Sequence, residues 1–173
     1  MRPTPAEYYS YFERYVSLVP ESDVLSALSK QLKAAEEPWA TRLEERAGFR
    51  YAEGKWTVRE LLGHVIDTER VFGYRALSIA RGETTSLPGM DEKQYASASG
   101  HDQCAARELV DEFAALRRSH VLMFRHLPES VWTKIGRVNE HPTSTRALAF
   151  IMVGHVRHHA EILVSRYGIE IPA

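Results

Sequence analysis

The chain has 173 residues, 26% of them charged and 44% hydrophobic, with 22 basic and 23 acidic side chains and a formal net charge of -1. That length suits one domain able to bury a core without disulfides, and the balanced charge excludes whole-chain attraction to nucleic acid or to an anionic membrane surface. The single cysteine, Cys104, has no partner for an intramolecular disulfide or a redox pair, which fits a reducing compartment.

The N-terminus carries no apolar leader, and the longest apolar run, 148–154, falls far short of the ~20 residues that cross a bilayer. We therefore expect a soluble, cytoplasmic protein with one domain over residues 1–173. An aromatic arm, Tyr8-Tyr9-Ser10-Tyr11-Phe12 with Tyr15, comes first. It reads as a packing arm over the core, with stacking on a ligand as the alternative.

Four long segments with helical spacing follow. In the first, Val24, Leu25, Leu28, Leu32, Ala35, Trp39 and Leu43 recur mostly every three or four residues. Pro38 predicts a kink or break near Glu37, and Ala47-Gly48 predicts the stop. The second opens with Thr57 and Glu60 in a capping-box pattern, carries Leu61, His64, Val65, Thr68, Val71, Phe72 and Arg75 on adjoining positions, and can run to Gly82. The connection from Glu83 to Gly100 is long for a compact domain. The third segment runs from about Ala105 to Leu127, with Leu109, Phe113, Leu116, His120, Met123 and Leu127 on its apolar seam. Gly136 to Pro142 reads as a turn, and the fourth segment starts near Thr143-Ser144-Thr145 and ends at Gly168. No strand-like alternation of useful length is present. The expected fold is all-α: a four-helix bundle with a short N-terminal aromatic arm and a long crossover between helices two and three.

Eight histidines raise the question of which converge. His155 and His159 are four residues apart, so on a helix they differ by about 40° in direction and about 6 Å in height. They lie on the stripe of Leu148, Ile151, Met152 and Ile162, where a neutral imidazole must be hydrogen-bonded or coordinated. The alternative to metal ligation is a pair of satisfied core histidines. His64 occupies the apolar face of the second helix beside Gly63, a small residue that fits close approach by another helix or a ligand. Three imidazoles from two helices leave open positions on an ion, as catalytic sites do. His158 and His120 are secondary ligand candidates; His101, His126 and His141 read as surface residues. Asp67, about one turn beyond His64, can orient an imidazole or act on a metal-bound water, or can be an ordinary ion-paired carboxylate. Glu69 points away from the stripe and fits an arginine partner. Arg75 returns to the His64 face and can anchor an anionic substrate group or form a structural ion pair. Lys55 and Trp56 can line the mouth of the site.

With these residues in place, the stretch from Lys55 to Arg70, KWTVRELLGHVIDTER, resembles the KW-[ST]-x-x-E-x-x-x-H-x-x-D-x-E pattern of the DinB/YfiT-like superfamily. Phe72-Gly73-Tyr74-Arg75, Leu87-Pro88-Gly89-Met90-Asp91 and the closing Gly154-His155-Val156-Arg157-His158-His159 are similar to that family's continuation. The resemblance implies a four-helix bundle holding one divalent ion, zinc or nickel, on His64, His155 and His159, and frequent homodimers. It implies several activities: thiol S-transfer with bacillithiol or mycothiol, mycothiol-dependent maleylpyruvate isomerisation, and metal-dependent hydrolysis. A thiol S-transferase acting on small molecules is the first expectation, since the nucleophile then comes from the cosubstrate. A metal-dependent hydrolase and a non-catalytic metal-binding stress protein are the alternatives. Neither nucleic acid nor a membrane is an expected partner.

Overall fold

The computed structural model describes residues 2–173 apart from the side chains of Glu37 and Pro38. Seven α-helices occur among them: α1 (Glu13–Val16), α2 (Val24–Ala34), α3 (Ala40–Glu44), α4 (Val58–Arg81), α5 (Glu92–Ala98), α6 (Ala106–Arg125) and α7 (Thr145–Ile162). Among the described residues no helix is long and apolar enough to cross a membrane.

The helix ends follow local chemistry. Thr57 accepts from the Glu60 N–H at 3.1 Å, and Glu60 accepts from the Thr57 N–H at 2.7 Å, completing the expected capping box of α4. Gly82 ends α4 in the left-handed region at φ 96, where a residue without Cβ is unstrained. Ser144 caps α7 by accepting from the Ala147 N–H at 3.0 Å. The expected break near Glu37 is a π-helical turn, Ala35–Trp39, between α2 and α3. Proline lacks the N–H that an α-helical hydrogen bond needs, and a widened turn accommodates the loss. The helix then ends at Glu44, short of Ala47-Gly48.

An all-α reading needs one correction. β1 (Ile135–Val138) and β2 (His141–Ser144) form an antiparallel hairpin between α6 and α7. Asn139 and Glu140 close it with φ of 47 and 65, the double left-handed turn that matches strand twist. The hairpin escapes a hydropathy reading because one of the two inward positions of β1 is Gly136, packed on Ile79. Leu87 docks alongside, donating to the Arg137 carbonyl at 2.9 Å and accepting from the Asn139 N–H at 2.8 Å.

Named contacts give the helix directions. Arg59 meets Asp102, Glu69 meets Arg117 and Gly73 meets His120, so α4 and α6 run parallel. The segment 82–105, including α5, therefore carries the chain back along the bundle. Gln31 meets Arg117 while Glu44 meets Ala106, so α2 and α3 oppose α6. Gln31 also reaches the Val153 carbonyl and Arg46 the Tyr167 carbonyl, so α2 runs with α7. Both α2 and α4 pack on α6 and α7, which puts α2 diagonally opposite α4.

The core divides into two apolar clusters. One gathers Val24, Leu28, Phe72, Ile79, Phe124, Leu148 and Ile151; the other gathers Trp39, Leu61, Ile66, Leu109, Phe113, Val156 and Leu163. Along each main helix the switch falls at a polar residue: Gln31 on α2, Thr68 and Glu69 on α4, Arg117 on α6, His155 on α7. A belt of buried polar side chains thus crosses the bundle at mid-height.

Candidate metal centre

Part of the belt comprises His64 from α4 with His155 and His159 from α7, all buried. The helical repeat sets His155 and His159 one turn apart on the face that α7 turns to α4. Both the His64 and His159 Nε2 atoms lie 3.1 Å from the His155 Nε2. One ligand atom from each ring lies within 4.8 Å of the other two, so the three could hold a metal ion.

Hydrogen bonding among the rings does not account for this geometry. An imidazole nitrogen has one in-plane lone pair or one proton, so the His155 Nε2 can serve only one of its two neighbours well. The Nδ1 atoms of His64 and His159 are buried without any partner. Burial keeps the rings neutral: it lowers the His64 pKa to about 4, with a contribution from His158. Burial, then the neighbouring ring charges, holds His155 and His159 well below 6.5. Three neutral rings with converging nitrogens and no counter-charge present a donor set for a divalent cation.

The site opens on two cavities. His64 and His155 line one of about 320 Å³, with Thr68, Phe72, Arg75, Glu92 and His141. His64 and His159 line one of about 580 Å³, with Lys55, Trp56, Glu92, His158 and Tyr167. Tyr11 and Tyr15 of the aromatic arm belong to both. The Tyr15 ring meets His155 and His158 edge-on, each at 5.3 Å. The arm comes this close because α1 crosses α7 at Gly154, where an added Cβ would fall 2.0 Å from the Tyr15 carbonyl oxygen. Glu7 anchors the arm by accepting from Arg146 Nε at 2.6 Å and from Ser144 Oγ at 2.8 Å.

Several residues lie elsewhere than their spacing suggests. Asp67 pairs with Arg70 at 3.5 Å and lines neither cavity. The unpartnered His64 Nδ1 shows that Asp67 does not orient that ring. Three residues on from His64 lies about 60° round the helix, on the α6 side, whereas Thr68, four on, stays on the cavity side. His120 is tied to Glu69 at 2.9 Å, away from the triad. His101 packs on Gly63, which explains the small residue: a Cβ there would lie 2.1 Å from the His101 Nδ1. His141 stacks on Tyr9 at 3.8 Å and lines a cavity instead of the open surface. Glu92, on α5, carries no local sequence signal; the returning connection alone delivers it.

A family model described as the DinB superfamily matches residues 27–163. Among solved structures the chain is similar to YfiT from Bacillus subtilis, described as a probable metal-dependent hydrolase with an unusual four-helix bundle topology. The two share 18% identity with a TM-score of 0.68, over 97% of this chain and 94% of that one. No curated protein matches.

Proposed function

The chain belongs to the DinB superfamily, and from that premise we propose that it is a metal-dependent enzyme holding one divalent ion on the Nε2 atoms of His64, His155 and His159. The observation that carries the reading is the convergence of these three buried nitrogens, those of His64 and His159 each 3.1 Å from that of His155, which a single shared proton on His155 Nε2 cannot explain for both neighbours. A bound ion supplies a Lewis acid that lowers the pKa of a thiol or water and provides a nucleophile at neutral pH.

The chain's own side chains favour a thiol cosubstrate. Among the described residues no acidic group hydrogen-bonds the triad to act as its base, and Asp67 pairs with Arg70. Thiols ionise far more readily than water, so thiol transfer asks less of a base. The Tyr11, Tyr15 and Phe72 rings supply apolar wall to the cavity beside His64 and His155. Zinc or nickel as the ion, a low-molecular-weight thiol and a homodimeric state complete this reading as expectations from the family resemblance. Hydrolysis is the second reading. It is favoured by Glu92, the one acidic residue among those lining each cavity beside His64; that carboxylate would take the proton from water.

Metal content per chain, measured on protein purified without chelator, tests the shared premise. A value near one supports it; a value near zero with no reloading by any divalent ion removes it. Cobalt-substituted protein then separates the two chemistries. Thiols should change its visible spectrum, and an unchanged spectrum rejects thiol transfer. Thiol-independent ester turnover that Glu92→Gln abolishes would support hydrolysis.

A further inference from the structure

The two buried arginines differ in their partners. Arg117 is fully enclosed and binds Glu69 through Nε and Nη2, each at 2.8 Å. Arg75 is also buried, at 5% exposure. Its one hydrogen bond goes from Nη2 to the Pro88 carbonyl at 2.7 Å, and no carboxylate of the described residues forms an ion pair with it. Glu92, the acidic residue of that cavity, is exposed and forms no ion pair with a cation of the described residues. The Arg75 Nε and Nη1 have no hydrogen-bond partner among the described residues, yet protein does not seal them in. They belong to a side chain that lines the cavity shared with His64 and His155. Burial lowers this guanidinium's pKa, but an arginine remains protonated. A buried cation without a counter-ion is a costly arrangement unless a ligand supplies the charge.

The floor of this cavity is one stripe of α4: His64, Thr68, Phe72 and Arg75, each on the same helical face. Phe72 lies between the ends, edge-on to His155 at 6.0 Å and beneath the Arg75 guanidinium at 5.6 Å. The Thr68 hydroxyl is buried with no partner. About 16 Å of helix axis separates the two ends, and the arginine side chain leans back toward His64.

We propose that Arg75 is the anchor for the carboxylate of an organic-acid substrate, which lies along this stripe with its reacting end at His64 and His155. The placement of the reacting end rests on the metal reading above; the anion site does not. The planar fork of the guanidinium pairs with both oxygens of a carboxylate, and Phe72 covers the carbon chain.

The test titrates the protein as purified with hexanoate and, separately, with hexan-1-ol, using calorimetry and NMR of arginine side-chain N–H groups. Hexanoate should bind at least about tenfold tighter, the discrimination expected of a charge-assisted pair, and should shift an Nε–H resonance absent from Arg75→Lys. The preference should vanish in Arg75→Met and survive in part in Arg75→Lys, which keeps the charge without the fork. Equal affinities in the unmodified protein overturn the proposal whether or not either variant folds. A preference that persists in Arg75→Met also overturns it, by placing the carboxylate on the ion. Absent metal with the preference intact would sink the metal reading alone.

Discussion

Two polar clusters share the mid-height belt, and they are built on opposite principles. In the first, Arg117, Glu69, Gln31 and His120 satisfy one another: the guanidinium binds both Glu69 oxygens, Gln31 accepts a further N–H, and His120 lies 2.9 Å from Glu69. Burial alone would raise the Glu69 pKa, but Arg117 and His120 override it and hold the carboxyl below its usual range. In the second, His64, His155 and His159 crowd three nitrogens together and leave two more without partners. Burial of polar groups is tolerated where they are paired, so the first cluster is complete within the chain and the second calls for something from outside it. The contrast teaches that burial of ionisable groups does not by itself mark a functional site; incomplete pairing does.

Breaking the complete cluster should have the largest effect. Arg117→Met leaves the Glu69 carboxylate buried with His120 as its remaining partner, and should cost about 3 kcal/mol or more in chemical denaturation. Arg117→Met with Glu69→Met should cost less than the sum of the two single changes. Strict additivity would show that the pair is not coupled.

The incomplete cluster should respond oppositely. His159→Ala should lose metal affinity by about 100-fold or more while the apo protein keeps its fold, because the His159 Nδ1 has no partner and its Nε2 competes with His64 for the His155 Nε2. Full metal stoichiometry in that variant would remove His159 from the ligand set.

Acid should separate the clusters in order. Burial holds all three imidazoles below their ordinary pKa of ~6.5, His64 at about 4, so metal should leave as pH falls toward that value. Carboxylates with depressed pKa values protect the fold further down. Glu7 is lowered to about 2, first by Arg146; its contribution is complete above the unfolded carboxylate value of ~4.3 and fades as pH falls toward about 2. Helical circular dichroism should therefore persist below the pH of metal release. Simultaneous loss of both signals would mean that the metal holds the bundle together.

The smallest effect belongs to Asp67→Asn. Its half-exposed ion pair with Arg70 is worth no more than about 1 kcal/mol, and metal content should not change. A loss of metal in this variant would return Asp67 to the site despite its direction.

Local chemistry made much of this legible in the sequence. The capping box at Thr57 and Glu60 needs only residues three apart, and the pairing of His155 with His159 follows from the helical repeat. The period of the apolar positions located α4, α6 and α7 because each buries one face along its whole length. Other features depend on what lies opposite in space. The hairpin was hidden because Gly136 fills an inward position with no side chain. Asp67 and Thr68 are neighbours in sequence, yet Asp67 pairs with Arg70 on its own helix while Thr68 lines the cavity. Glu92, Tyr15 and His141 reach the cavities only because the returning connection, α1 and the hairpin dock there. The sequence by itself determined the helices and the candidate ligands, whose causes lie within a few residues of chain. Only the tertiary structure decided which polar groups are satisfied and which are left open, since a partner for a buried nitrogen or guanidinium comes from residues distant in sequence.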